Sequence, residues 1–369
     1  MTTFYDELRK LNWEAEEESI FKKTTLDVQR ALQKDRCNLE DFKAFISPAA
    51  EPFLREMAIK AEQLTIKRYG RTIQMYVPLY VSNYCTNSCV YCGFSCHNQI
   101  HRVKLDIPQI LEEIAVLKKW GFRHLLLVSG ESAKLTDASY YEEVINAVRP
   151  HFAQISLEVQ PLTTDEYRRM YNAGISYVCV YQETYNEKKY PEFHPRGEKA
   201  NFRYRLETPD RCGTAGIQKI GIGALLGLQN WRTDSFFTAL HLNYLERTHW
   251  KTKYSISLPR LRPHVGDFTP EDPINDKQMA QLICAYRLFD PEVDISLSTR
   301  ESSAFRDMAM RIGATTMSAA SSTEPGGYAT KHEELEQFEI NDARTVEEMA
   351  EAIRANGYEP VWKDWDEWL

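Results

Sequence analysis

Three thiols fall within eight residues of this 369-residue chain, in the run Cys85-Thr-Asn-Ser-Cys89-Val-Tyr-Cys92. Cysteine thiolates hold iron–sulfur clusters, usually four to a cluster. Three closely spaced ones would serve three irons of a 4Fe–4S cube and leave the fourth iron open. An open position can take a substrate or cofactor, as it does at any catalytic metal. Structural zinc would want a fourth ligand, and Cys96 or His97 could supply one. As a fourth cluster ligand Cys96 would close the open iron, so it reads as a bystander near the site.

The rest of the composition limits what this motif can be doing. Four of the eight cysteines crowd into residues 85–96, which is no disulfide framework and suits bound metal in a reducing compartment. The formal net charge is −8 with both signs interspersed, which argues against nucleic acid as the main partner. Hydrophobic residues make up 43% of the chain, enough to fill a large core, and the mean hydropathy of −0.49 fits a soluble protein. The first residues carry no basic-then-apolar signal segment. No apolar run approaches the roughly 20 residues a membrane span needs. A cytoplasmic protein is the expectation.

Positioning three thiols needs a scaffold, and the chain supplies a regular one. Residues 1–70 read as a helical extension: Asn38 caps a helix ending near Ile46, and Ser47-Pro48 starts another that Gly70 stops after Tyr69. From residue 71 to about 320, eight short apolar runs alternate with amphipathic stretches. The runs are Met75–Val81, His124–Val128, Ile155–Val159, Tyr177–Tyr181, Ile220–Leu225, Tyr254–Leu258, Val293–Leu297 and Ala314–Ser318. Helical periodicity lies between them at Ile107–Trp120, Ser139–Val148, Asp165–Ala173, Ser235–Thr248, Asp276–Phe289 and Ser302–Ile312. Strand–helix repetition of this kind predicts a parallel sheet under helices, and eight units fit an α/β fold of the (β/α)8 TIM-barrel type. A doubly wound open sheet is the alternative, but no G-x-G-x-x-G follows the first strand.

A barrel collects its chemistry at the C-terminal ends of its strands. The cysteines follow the first run, Ser129-Gly130-Glu131 the second, Glu158-Val-Gln160 closes the third, and Gln182-Glu183-Thr184 the fourth. The sixth ends in Arg260-Leu-Arg262, and the seventh carries Ser296-Leu-Ser298-Thr-Arg300. On period-two alternation Ser296, Ser298 and Arg300 share the inner face and Ile295 and Leu297 the outer one. A polar inner face suits a substrate cavity more than a packed core. Arg300 offers a planar fork of donors that matches a carboxylate, with Ser296 and Ser298 beside it for the same carboxylate or an amine; a structural role, in a salt bridge to Glu301 or at a helix end, is the competing one. His241, in a helical pattern, is a structural histidine on this reading rather than a base. Residues 321–369 form a C-terminal extension with a loop at 321–327, a helix at Val346–Ala355, and Trp362, Trp365 and Trp368 spaced for one helical face that packs on the barrel or on a partner.

The cysteine run, with Tyr91 before its third thiol and Gly93-Phe94 after it, resembles the signature of the radical S-adenosylmethionine (SAM) enzymes. That resemblance implies that Cys85, Cys89 and Cys92 bind a 4Fe–4S cluster and that SAM is bound beside it. Gly130-Glu131 is similar to the family motif holding the SAM amino group. Glu158 and Gln160 stand where relatives contact the SAM ribose or methionyl end, and Gly221 and Gly223 where backbone approaches the adenine. Glu183 and Arg205 are further candidates for SAM contact, and Tyr91 completes the cofactor-binding set. Longer strings narrow the resemblance to the 2-iminoacetate synthases, the tyrosine lyases of bacterial thiamine biosynthesis. They include Tyr76–Asn83, His124–Glu131, Glu158–Leu162, Val180–Tyr185, Arg205–Arg211, Ser296–Glu301, Gln337-Phe338 and Trp362–Trp365.

The resemblance implies cleavage of the Cα–Cβ bond of L-tyrosine to p-cresol and 2-iminoacetate (dehydroglycine), with SAM split to methionine and 5′-deoxyadenosine. It implies a thiazole synthase subunit as partner and a reduced flavodoxin or ferredoxin as electron donor, with no nucleic acid and no membrane involved. Three other readings remain. The tyrosine lyase of hydrogenase maturation makes carbon monoxide and cyanide at a second, C-terminal cluster, for which residues 285–369 hold no cysteine. Another radical SAM barrel would share the cluster without Ser-Leu-Ser-Thr-Arg. A non-catalytic iron–sulfur sensor would not need polar residues at six strand ends.

Overall fold

The computed structural model describes residues 3–261, 268–270, 272–329 and 337–363. Eight parallel strands close on themselves: β1 (Thr72–Ser82), β2 (His124–Ser129), β3 (Gln154–Glu158), β4 (Tyr177–Cys179), β5 (Lys219–Ile222), β6 (Lys253–Ser257), β7 (Asp294–Leu297) and β8 (Thr316–Ser318). Each pairs with the next, β8 pairs with β1, and β1 with β2, so no edge of the barrel is open. The expected (β/α)8 architecture is therefore the one adopted, with every strand inside or overlapping its apolar run.

The covering helices start where the sequence signals them. Asp106, Asp137, Thr163, Asn275 and Ser302 each accept a hydrogen bond from a first-turn backbone N–H, at helices Ile107–Lys119, Ala138–Val148, Thr164–Ala173, Asp276–Phe289 and Ser303–Met310. The fifth strand leads into Trp231–Thr248, which starts four residues before the periodicity suggests because Asn230 caps it. Residues 4–69 are largely helical, in several pieces. The helix before Gly70 opens as a 3-10 segment, Pro48–Phe53, because Pro52 has no N–H to donate, and turns α-helical at Leu54–Tyr69.

These first helices pack on the outside of the barrel. Phe4 stacks on His241 at 3.9 Å, Trp13 on Phe237 at 5.2 Å, and Phe42 meets Tyr286 and Phe289. A ninth strand, β9 (Glu359–Val361), follows the helix Val346–Ala355 and pairs parallel with the start of β1. Its pattern is too short to announce itself in the sequence. Trp362 packs edge-on against Phe122, while Trp365, Trp368 and Arg262 lie outside the described residues. Among the described residues, no helix is long and apolar enough to cross a membrane.

Candidate active site

One large cavity sits at the C-terminal mouth of the barrel, and it gathers most of the polar strand ends. Cys85, Cys89, Cys92, Tyr91, Gly130, Glu131, Glu158, Glu183, Arg205, Ser298 and Arg300 all line it. It encloses about 1390 Å3, open space at its mouth included.

The cysteine loop is held from several sides. Gly130 packs so tightly under it that a Cβ would stand 2.4 Å from the Tyr84 carbonyl oxygen. The Thr86 N–H donates to the Glu131 carbonyl at 2.9 Å, and the Asn87 amide donates to the Glu131 carboxylate at 2.8 Å. Gln337 reaches in from the C-terminal segment: its Nε2 contacts Cys92 Sγ at 3.6 Å while its Oε1 accepts from the Tyr80 hydroxyl. Cys96 is exposed and does not line the cavity. Burial, reinforced by the Glu131 charge, pushes the Cys85 thiol up to about 11, and burial pushes Cys89 higher still. Thiolates there require a compensating cation, which iron provides. Among the described residues no three Cys, His, Asp or Glu side chains converge on a single ion; the three thiols line the cavity instead.

Next to the thiols lies a group of four charges, Arg205 and Glu183 buried and Glu131 and Lys199 largely so. Arg205 donates to the Tyr181 carbonyl at 2.7 Å and to Glu131 at 2.8 Å, and stands 3.6 Å from Glu183. Lys199 donates to Glu183 at 2.7 Å. Burial alone would raise the Glu131 carboxyl, but Arg205, Lys199 and the Asn87 amide hold it below its ordinary value. Glu183 sits at φ +71°, an uncommon conformation for a residue with a side chain. The following turn locks it there: Asp234, at the start of Trp231–Thr248, accepts from the Thr184 hydroxyl at 3.0 Å and the Tyr185 N–H at 2.8 Å. Such strain costs on the order of 1–3 kcal/mol and persists only where surrounding structure enforces it.

Tyr91 is oriented through His194. The His194 Nδ1 faces the Tyr190 carbonyl, which can only accept, so Nε2 is left to accept the Tyr91 hydroxyl at 2.7 Å. Burial keeps this imidazole neutral, far below its usual value. On the opposite side of the mouth, Arg300 lays its guanidinium over Phe338, 3.4 Å from Cζ to the ring centroid. Glu301 pairs with Arg260, not with Arg300, so that salt bridge is not made and Arg300 lines the cavity.

Four expected residues lie elsewhere. Gln160 is spent on the protein, accepting from the Tyr141 hydroxyl at 2.7 Å and donating to the Thr136 carbonyl, and does not line the cavity. Ser296 points inward but one layer deeper, in a small pocket with Tyr76 and Thr316. Gly221 and Gly223 are required by their neighbours: a Cβ at the first would meet the Tyr177 hydroxyl at 2.7 Å, and at the second the Ser257 carbonyl at 2.4 Å. His241 is in the helical layer, bonded to Tyr185 and pushed down to about 3 by burial. Conversely, Lys199, His194 and Asn87 were not singled out from the sequence. Lys199 and His194 fall in the irregular β4–β5 connection, where no periodicity marks them; Asn87 could have been suspected from its place between two of the thiols.

Comparison with known proteins agrees with this geometry. The radical SAM superfamily pattern matches residues 79–237, and that of the biotin and thiamin synthesis associated domain matches residues 257–359. The 2-iminoacetate synthases of Escherichia coli K12 and Salmonella typhimurium LT2 are each 47% identical over the whole of this chain and 98% of their own length. This chain belongs to the 2-iminoacetate synthase family. Among solved structures, the FeFe-hydrogenase maturase HydG from Carboxydothermus hydrogenoformans is 31% identical, with a TM-score of 0.86 over 97% of this chain and 82% of that one. Membership in a radical SAM family implies a 4Fe–4S cluster and SAM. The three lining thiols and the mixed-charge group beside them fit that pair.

Proposed function

We propose that the barrel mouth carries out the reaction of its family with a division of labour readable from the cavity. The reaction is cleavage of the Cα–Cβ bond of L-tyrosine to p-cresol and 2-iminoacetate, the two-carbon unit for the thiazole of thiamine. Cys85, Cys89 and Cys92 would hold the 4Fe–4S cluster, with SAM bound beside it. Cluster and SAM, when bound, would supply the radical chemistry that starts the cleavage, and the residues around them would hold tyrosine in reach of it. Glu131, Glu183, Arg205 and Lys199 present two anions and two cations to the amino-acid end of SAM, with Tyr91 on the same side. Arg300 and Ser298 hold the tyrosine carboxylate across the mouth, and Phe338 fixes the guanidinium plane.

Buried aromatic walls, Tyr80, Phe94 and Tyr181, exclude water and stray hydrogen donors. A thiazole synthase subunit would consume the 2-iminoacetate, and a reduced flavodoxin or ferredoxin would supply electrons. The eight free cysteines support a reducing, cytoplasmic setting. The single observation that carries the reading is the 47% identity over the full chain to enzymes named for this product. Its test is anaerobic reconstitution with iron and sulfide, then incubation with SAM, reductant and tyrosine. p-Cresol, 5′-deoxyadenosine and glyoxylate, from hydrolysis of 2-iminoacetate, are expected together; 5′-deoxyadenosine with no p-cresol overturns it.

A further inference from the structure

Glu158 is the one expected cofactor contact whose carboxylate has no assigned partner in the cavity. It ends β3 beside Val128 of β2, pointing into the mouth. No hydrogen bond or ion pair holds it among the described residues, whereas Glu131 and Glu183 are both bonded to cations. Arg300 is the cation that acts on it most. A carboxylate that lines the same cavity as Arg300, the proposed receiver of the tyrosine carboxylate, is within reach of the α-ammonium of the same substrate.

Tyrosine enters with three hydrogens on nitrogen, and 2-iminoacetate leaves with one on its imine. The nitrogen must therefore release a proton as well as a hydrogen before the imine is complete. We propose that Glu158 binds the tyrosine α-ammonium and accepts one proton from it, an N–H bond breaking and an O–H bond forming on the carboxylate with no change in oxidation state. This rests on the tyrosine-lyase reading and assigns Glu158 to the substrate instead of to SAM. In its resting state the carboxylate also gives the cavity a site for a zwitterion: cationic fork on one side, anion on the other.

The surroundings leave Glu158 free to act near neutral pH. Burial raises it to about 7, opposed chiefly by Arg300, with Glu183 adding to the rise and Lys199 and Arg205 reducing it. Tyr76 and Tyr80 from β1, and Cys179 and Tyr181 from β4 and its end, also feel its charge, and burial keeps all four protonated. A proton acceptor is most effective when its own value lies near the working pH.

The experiment compares reconstituted wild type with Glu158→Gln and Glu158→Asp, measuring p-cresol formation against pH together with SAM affinity. Wild type that makes p-cresol establishes the lyase reading independently. Its kcat should then fall on the acid side of neutrality, where the carboxylate protonates. Glu158→Gln should keep its cluster and its SAM affinity within about twofold, lose roughly 10²–10⁴-fold in kcat, the usual contribution of a positioned base, and lose the acid limb. Glu158→Asp should give an intermediate kcat with the limb retained, and it decides the matter if the glutamine variant does not hold its cluster. Weakened SAM affinity in parallel with tyrosine affinity, or an acid limb unchanged in Glu158→Gln, or wild-type kcat in both variants, overturns the assignment.

Discussion

The Arg205 guanidinium donates to the Glu131 carboxylate at 2.8 Å, both groups buried, and so ties the β4–β5 connection to the turn after β2. Removing one member of a buried pair strands the other, at about 3–5 kcal/mol. Arg205→Met should therefore lower Tm and abolish SAM binding. The double variant Arg205→Met, Glu131→Gln should recover much of the Tm without recovering SAM affinity. Thermal denaturation and a SAM titration separate the two effects; full recovery of SAM binding in the double variant would place SAM elsewhere.

The cluster makes its own test. Reconstituted protein should carry about four irons and four sulfides, as a single cube requires. Cys85→Ser, Cys89→Ser and Cys92→Ser should each lose it, and Cys96→Ser should keep a cluster that still binds SAM. Iron and sulfide analysis with electron paramagnetic resonance gives the answer. Loss of the cluster in Cys96→Ser would contradict the open iron.

Arg300→Lys keeps the charge and loses both the bidentate fork and the stack on Phe338. Tyrosine binding should weaken by roughly 1.5–3 kcal/mol, the scale of a charged hydrogen bond. SAM affinity should hold. A matching loss for both ligands in calorimetry would put Arg300 on the wrong one.

Product analysis discriminates within the superfamily. Carbon monoxide and cyanide should be absent if the reaction stops at 2-iminoacetate, the product for which the full-length relatives are named. Phenylalanine should be a poor substrate, because the departing benzylic radical then lacks the stabilising phenol oxygen. Detection of either gas-forming product in quantity from tyrosine would redirect the assignment.

His241 predicts part of the acid response of stability. Its folded value is pushed down to about 3 by burial, against about 6.5 unfolded. Between those values the unfolded chain binds the extra proton, so stability falls as pH falls through that window. His241→Phe keeps a ring against Phe4 and should flatten the slope by about 1.4 kcal/mol per pH unit. Buried Asp234, raised to about 7 by burial, acts in the opposite sense and is common to both proteins. Denaturant melts from pH 3.5 to 7 measure the difference; parallel curves would refute it.

The barrel was legible because its strands are buried on both faces and read as short apolar runs separated by helical periodicity. The cluster motif was legible because its three thiols come from one local loop, so spacing alone specifies them. Period two also told correctly that Ser296, Ser298 and Arg300 face inward. It could not tell depth.

Depth along the barrel axis is set by register with neighbouring strands, which is a long-range property. Ser296 pairs with Thr316 and lines the deeper pocket with it, while Ser298 reaches the cavity. Gln160, two residues past an inward Glu158, is captured by Tyr141 and Thr136 from the adjoining helix and turn. Lys199, His194 and Gln337 enter the site from loops whose paths no periodicity describes. The sequence by itself determined the fold class, the thiol triad and the inward face of the seventh strand, because those follow from local spacing. Which charges meet, Arg205 with Glu131 and Lys199 with Glu183, only the closed barrel decided, since burial makes each of those charges depend on a partner distant in the chain.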